Sequence, residues 1–370
     1  MPETLTPAQL ARDLAVRDLT DPAAGPHAIQ LVVDRAVSAL AARWGCAVRR
    51  RPGERIVTVA DNYDNLGYDP ADVTRDARYT RYVDADHVLR SHSSALVPAA
   101  LRALAASPAE DVLLVCAGLV YRRDSIDRLH TGTPHQLDLW RVTRRTMTRA
   151  DLEEMVAALV PDRRWRLEDR RHPYTVDGAQ LDVEHDGEWV EIAECGLAHA
   201  AVLARAGLAD GWSGLALGLG LDRMLMLRKG IPDIRLLRSP DPAVAGQLTD
   251  LSPYRPVSAL PAIRRDLSIA VPAGDEAENL GDRVRDALGA DAEVVESVDI
   301  RQETPYAELP ARARERLGAR PHQKNLLIRL VLRPLDRTLS DAEANVLRDR
   351  VYAALHQGTV HQWATNDLDA

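Results

Sequence analysis

Apolar residues recur at three- and four-residue intervals in segment 28–43, AIQLVVDRAVSALAAR, placing Ile29, Val32, Val33, Ala36 and Leu40 on one face of a predicted amphipathic helix. Gly45 follows as its stop signal. Segment 110–121, EDVLLVCAGLVY, is an apolar run of strand length, and 188–195, EWVEIAEC, alternates Trp189 or Val190 with charged neighbours as a sheet strand does. The middle of the chain is therefore mixed, with strands predominating. A further helix is predicted from near Leu219 to a stop before Pro232, carrying Leu221, Met224, Leu225 and Arg228.

After Arg238 the stretch SPDPAVAGQLTDLSPYRPVSALP is dense in proline and turn residues and reads as a linker, dividing the chain into domains 1–245 and 246–370. In the second domain, strands are predicted at 265–271, 292–300 and 325–333, with a helix at 276–289. Leu326, Ile328, Leu330 and Leu332 alternate with Arg329 and Arg333 in the third strand. Ser340 and Glu343 have capping-box spacing, opening a helix to about 355, and TVHQWA at 359–364 closes the pattern as a last strand. Strand, helix, strand, strand, helix, strand is the ferredoxin-like split order.

Composition then narrows the class. A chain of 370 residues, 46% hydrophobic and 28% charged, is globular and neither disordered nor collagen-like, the mixed helix and strand pattern makes it α+β, and the length favours two domains. It contains no phenylalanine at all, where average usage gives on the order of a dozen. The net charge of −8 excludes a surface that coats nucleic acid throughout, so any such contact must be local. Cys46, Cys116 and Cys195 are widely spaced with no CxxC pair, which points to reduced thiols and no zinc site. No run approaches the roughly 20 apolar residues of a membrane span, so a cytoplasmic protein with no membrane partner is expected.

Three polar constellations stand out. LRSHSSA at 89–95 packs an imidazole and hydroxyls beside an arginine; by itself it reads as a helix N-cap leading into LVPAALRAL. YRRDSIDRLHTGTPHQLD, 121–138, follows the apolar strand and by itself is a solvated loop. GLALGLGLDRMLML, 214–227, sets Gly214, Gly218 and Gly220 before a helix with Arg223, on a spacing that fits neither the dinucleotide fingerprint nor the P-loop.

Taken in order, these segments resemble the class II aminoacyl-tRNA synthetases, and within them the single-chain, mitochondrial-type phenylalanine enzymes. The helix at 26–44 with DNYDNL at 61–66 looks like the first signature helix and the segment after it, LRSHSSA like the amino-acid-binding segment, YRRDSID with HQLD like motif 2, and GLGLDRMLML with IPDIRLL like motif 3. The tail resembles the anticodon-binding ferredoxin-fold domain, in LPAIRRDLSIAV and RTLSDAE.

The resemblance implies an antiparallel-sheet catalytic domain followed by a βαββαβ domain, with ATP and Mg2+ as cofactors and tRNA and an amino acid as partners. It implies Arg122 bridging the substrate carboxylate and the α-phosphate, and Arg223 holding the γ-phosphate, both as catalytic residues. Fixed cations suit a step that joins two anions. Asp124, His130 and Glu191 would lie by the nucleotide, and Gly218 and Gly220 would let backbone approach it. His92, Ser93, Ser94, Gln136 and Asp138 would surround the amino acid's ammonium end. Arg312, Arg314, Arg316, Arg320 and Lys324, in a basic loop between two strands of the tail, would meet tRNA phosphates. No metal ligands are assigned, and the oligomeric state is a monomer or a homodimer.

The chain departs from the family where its substrate ring is gripped. A Phe-Pro-Phe segment is replaced by His172-Pro173-Tyr174, the Phe before the His-Gln pair is Pro134, and a glycine before Cys195-Gly196 is Glu194; the small Ala216 is kept. Unpaired buried polar groups disfavour a bare benzene ring, so the expected substrate is phenylalanine or a polar aromatic relative. Three alternatives stay open: charging tRNA with a different amino acid, delivery of an aminoacyl adenylate to a biosynthetic acceptor other than tRNA, and a catalytically silent tRNA-binding regulator.

Overall fold

The computed structural model describes residues 3–77, 79–123, 125–256, 260–335 and 337–361. Two compact units emerge: Met1–Arg122, Thr133–Ile231 and Gln247–Tyr254 form the first, and Arg123–Gly132, Pro232–Gly246 and Arg255–Ala370 the second. Parts of the proline-rich stretch after Arg238 belong to each.

In the first unit the strands are β1 (Ala47–Arg51), β2 (Ile56–Thr58), β3 (Arg81–Tyr82), β4 (His87–Leu89), β5 (Asp111–Leu119), β6 (His135–Thr143), β7 (Trp165–Asp169), β8 (Thr175–His185), β9 (Glu188–Ala198) and β10 (Ser213–Gly220). Seven of them form one sheet in the order β1-β5-β6-β10-β9-β8-β7, antiparallel except for the β1–β5 pair; β2, β4 and β3 make a small second sheet. Period-two alternation sends Leu114, Cys116, Trp140 and Ala216 to one face, where they pack with Leu101 and Leu104 of the helix Val97–Ala106. The helices Ala28–Trp44 and Arg149–Leu159 also pack against this sheet.

Helix Ala28–Trp44 buries Ile29, Val32, Val33, Ala36 and Leu40, the face expected from their spacing. His27 caps it by accepting from the Ile29 N–H at 3.1 Å, and Gly45 ends it at φ 62°, a left-handed conformation that glycine adopts without steric cost. Two local expectations need correction. The helix predicted from near Leu219 begins at Leu221, because Leu219 and Gly220 still pair with Leu137 and Gln136 in β10. The N-cap reading of LRSHSSA fails, since His92 makes no capping bond to the turn Ser93–Leu96 and the Ser93 hydroxyl is committed elsewhere.

The second unit runs β11 (Ile263–Pro272), helix Ala277–Leu288, β12 (Val295–Pro305), helix Ala311–Leu317, β13 (Gln323–Leu332) and helix Asp341–Leu355. Its sheet is antiparallel in the order β11-β13-β12, and its core joins Leu326, Ile328, Leu330 and Leu332 to Val284, Leu288, Val351 and Leu355. The Ser340–Glu343 capping box forms as its spacing predicts. The last strand expected at 359–364 is not formed by residues 359–361, and residues 362–364 lie outside the described residues. Chain does return to that edge, where the Gln357 N–H donates to Ala270 O of β11 at 2.8 Å. The basic stretch expected as a loop contains the short helix Ala311–Leu317, and Lys324 lies within β13.

Candidate active site

Register across three neighbouring strands builds the floor of the site. Asp138 of β6 lies opposite Gly218 of β10, and Gly218 lies opposite Glu194 of β9 on its other side. Residues directly opposite share a face, so two carboxylates flank a position with no side chain. A Cβ on Gly218 would come no nearer than 3.7 Å to any atom, and one on Gly220 no nearer than 3.6 Å, so space stays open above both. Trp140, Ala216 and Gly196 form the next rung on this face.

Asp138 is 2% exposed and each of its oxygens accepts a hydrogen bond. The Ser93 hydroxyl donates to its Oδ2 at 2.5 Å, and the Trp140 indole N–H to its Oδ1 at 3.2 Å. Burial dominates over these bonds and the carboxyl pKa is pushed up to about 6. Gln136 accepts from the Ser93 N–H at 3.1 Å, and Asn62 holds Ser91 through two bonds of 2.9 and 3.2 Å, so the turn carrying His92, Ser93 and Ser94 is pinned at both ends. Burial, aided by the nearby Arg122 charge, lowers the His92 imidazole to about 3 and keeps it neutral.

Rings enclose the floor. Tyr68 stacks on His92 with centroids 5.6 Å apart, and Tyr174 lies 5.8 Å from His172, 6.1 Å from Trp140 and 6.5 Å from Tyr68. His172 arrives on the loop before β8, which folds back over Gly178; a Cβ there would collide with Arg170 O. The His172 Nε2 sits 3.3 Å from Glu194 Oε2. Burial alone would raise Glu194, but the neighbouring His172 ring and the charges of Arg122 and Arg170 hold it below the usual carboxylate range.

Two arginines are each anchored on a backbone carbonyl of this unit. Arg122 is exposed, and its Nε donates to Ser91 O at 3.1 Å, beside His92 and Ser93. Arg223 stands in the first turn of helix Leu221–Lys229, directly after Gly220, and donates to Glu191 O at 2.8 Å. Residues 13–248 match the family model described as tRNA synthetases class II core domain (F). The chain belongs to this family.

Relatives of this class II chain carry phenylalanine–tRNA ligase names. The phenylalanine–tRNA ligase alpha subunit of Prochlorococcus marinus (strain MIT 9313) is 31% identical over 233 residues, covering 60% of this chain and 68% of the relative. A probable mitochondrial phenylalanine–tRNA ligase of Drosophila melanogaster is 27% identical over 366 residues, 81% of this chain and 75% of its own length. The chloroplastic/mitochondrial phenylalanine–tRNA ligase of Arabidopsis thaliana is 29% identical over 316 residues, 80% of this chain and 68% of its own. The family resemblance seen in the ordered motifs is the one these comparisons find, including the single-chain organellar forms.

Within this synthetase the first unit gathers His92, Ser93, Ser94, Gln136, Asp138, His172, Tyr174, Glu194 and Ala216, together with Arg122, Glu191, Gly218, Gly220 and Arg223. Asp124 lies outside the described residues. His130 belongs to the segment Arg123–Gly132 of the second unit, where its Nδ1 contacts Asp127 at 2.7 Å. The basic tail residues divide. Arg312, Arg316 and Arg320 are exposed, whereas Arg314 bonds Leu309 O and Ala307 O and lies over Tyr306, and Lys324 is 7% exposed and paired with Glu303 at 3.0 Å.

Sequence reasoning missed Trp140, Tyr68 and Asn62. Alternation in HQLDLWRV carried the signal for Trp140, since Gln136, Asp138 and Trp140 must share a face. It also left His135 unexplained: that ring is fully buried, its Nε2 accepting from the Leu19 N–H at 3.0 Å and its Nδ1 meeting Asp222 at 3.0 Å. Asp222 belongs to the motif 3 segment, so this histidine ties motif 2 to motif 3.

Proposed function

We propose that this chain activates an amino acid with ATP and transfers the aminoacyl group to tRNA, acting in the cytoplasm as a monomer or homodimer. The observation that supports the reading is the anchoring of Arg122 on Ser91 O and of Arg223 on Glu191 O in the unit that also holds the open glycine floor of Gly218 and Gly220 and the Asp138–Ser93–Gln136 cluster. An amino-acid carboxylate oxygen attacks the α-phosphorus of ATP, the bond to the bridging oxygen breaks, and pyrophosphate leaves with the electron pair. The guanidiniums of Arg122 and Arg223 hold the phosphates and offset the charge that develops. A ribose hydroxyl of tRNA then attacks the carbonyl carbon, AMP leaves, and the hydroxyl proton passes to a phosphate oxygen of AMP.

ATP fits the residues present, since glycine leaves room for backbone approach where a side chain would intrude. Among the described residues no group of three or more His, Cys, Asp or Glu converges on a point. Mg2+, when bound with ATP, would supply charge neutralisation at the phosphates. In the second unit Arg312, Arg316 and Arg320 are exposed, which supports assigning them to tRNA phosphates in this reading.

Amino-acid-dependent exchange of pyrophosphate with ATP, run over an amino-acid panel and followed by tRNA charging, tests this. Exchange and charging are expected, with Arg122→Ala and Arg223→Ala each lowering kcat by roughly 10²- to 10³-fold. Exchange with no amino acid refutes the enzyme reading, and exchange without charging assigns the adenylate to another acceptor.

A further inference from the structure

We infer that Glu194 and His172 form a side-chain recognition pair, so that this site selects an aromatic or heteroaromatic amino acid bearing a ring hydrogen-bond donor over plain phenylalanine. The inference rests on the amino-acid activation proposed above. It begins with the count of anions on the floor. An amino acid brings one α-ammonium, which needs one anionic partner, yet Asp138 and Glu194 both stand over the same open rung, one on each side of Gly218.

Asp138 is committed to the end defined by Ser93 and Gln136, beside Ser91, whose carbonyl anchors Arg122. That end suits the ammonium and carboxylate common to every amino acid. Glu194 is left for what varies between amino acids. Its side chain is 36% exposed, so the carboxylate can be reached from the open side, whereas His172 is only 7% exposed and backs it at 3.3 Å. At that distance His172 Nε2 is buried and makes no hydrogen bond among the described residues, so the ring nitrogen and the lone pairs of the carboxylate are both left for a ligand.

The walls beside this pair are planar. Tyr174 stacks on His172 with ring planes 22° apart, and Tyr68 and Trp140 approach Tyr174 at 6.5 and 6.1 Å. A flat ring is the shape such walls receive. Electrostatics set what the ring must carry. Glu194 stays ionised under the pull of His172, Arg122 and Arg170 despite its partial burial. A benzene ring pressed against it would remove its water and return nothing, whereas a ring hydroxyl, amino or N–H group replaces the lost bond. Sites that hydrogen-bond a substrate group reject the analogue lacking it strongly, because their own polar atoms are left unpaired.

The test is pyrophosphate exchange by the full chain with phenylalanine, p-tyrosine, m-tyrosine, 3,4-dihydroxyphenylalanine, p-aminophenylalanine and histidine. At least one donor-bearing amino acid is expected to exceed phenylalanine in kcat/KM by about 10- to 100-fold. Glu194→Gly should collapse that ratio at least tenfold, mainly through KM, and raise exchange with phenylalanine. Glu194→Gln, which preserves volume and still accepts a hydrogen bond, should retain most of the preference for a hydroxyl and lose it for a cationic group. A preference for phenylalanine in the unmodified protein, or a ratio unmoved by both substitutions, overturns the inference while leaving amino-acid activation intact. Exchange with none of the panel and with no other amino acid overturns both.

Discussion

Replacing Asp138 by Asn should make the first unit more stable at neutral pH while impairing its use of amino acids. Burial raises this carboxyl from its ordinary value of 3.8 to about 6. The folded state therefore holds the proton more tightly than the unfolded chain does. The penalty vanishes only well below pH 3.8; as pH rises the unfolded chain ionises first, and the loss of stability is complete once pH is well past the folded pKa. A shift of that size corresponds to about 3 kcal/mol, with about half of it developing between pH 5 and pH 8.

Asn is uncharged throughout and nearly isosteric, and it can still accept from Trp140 and donate to the Ser93 oxygen. Exchanging charged for neutral hydrogen bonds forfeits about 1 kcal/mol, which leaves a net gain of about 2 kcal/mol at pH 8. Urea unfolding followed by tryptophan fluorescence measures it, because Trp44, Trp140, Trp165, Trp189 and Trp212 all belong to this unit. The difference between variant and parent should grow by more than 1 kcal/mol from pH 5 to pH 8. A difference that stays flat with pH would refute the claim that Asp138 is strained by desolvation. KM for the amino acid should rise in the same variant, since the ammonium loses its anion.

Further outcomes follow from other contacts. His135→Ala leaves the buried Leu19 N–H without an acceptor and takes a partner from Asp222, so chemical denaturation should show a loss of about 3 kcal/mol. Gly118→Ala drives a Cβ into the Arg90 guanidinium, which Leu119 O and Glu54 O pin at 2.7 and 3.1 Å, and should cost about 2–3 kcal/mol by the same measurement. Removing Arg312, Arg316 and Arg320 together should lower the slope of log affinity for tRNA against log salt by about 2, with no change in pyrophosphate exchange. Arg314→Ala, by contrast, should loosen its helix and leave that slope unchanged, because its guanidinium is spent on Leu309 O and Ala307 O.

Local order was written plainly in the residues. The 3.6-residue spacing from Ile29 to Leu40, the period-two pattern from Leu326 to Leu332 and the Ser340–Glu343 cap each involve neighbours in the chain, and each formed as read. So did the succession of polar segments that identified the family, because motif order is a linear property. What the pattern could not supply was register between distant strands. Asp138 and Glu194 are 56 positions apart, and only the pairing of β6 and β9 through β10 sets them on either side of Gly218. A slip of one residue would have turned either carboxylate to the opposite face.

Burial likewise depended on long-range packing. Lys324 and Arg314 looked like members of a basic loop until strand pairing and a helical turn absorbed them, and Ser93 looked like a cap until β6 placed Asp138 within reach. The missing phenylalanines now have a structural counterpart. Tyr68, Trp140, Tyr174 and His172 supply the ring surface of the site, and each of them brings a polar atom that phenylalanine lacks. Composition showed that those rings had to be other than phenylalanine; only the folded chain decided that they gather around a shared pair of carboxylates, because that gathering is made by tertiary register and burial.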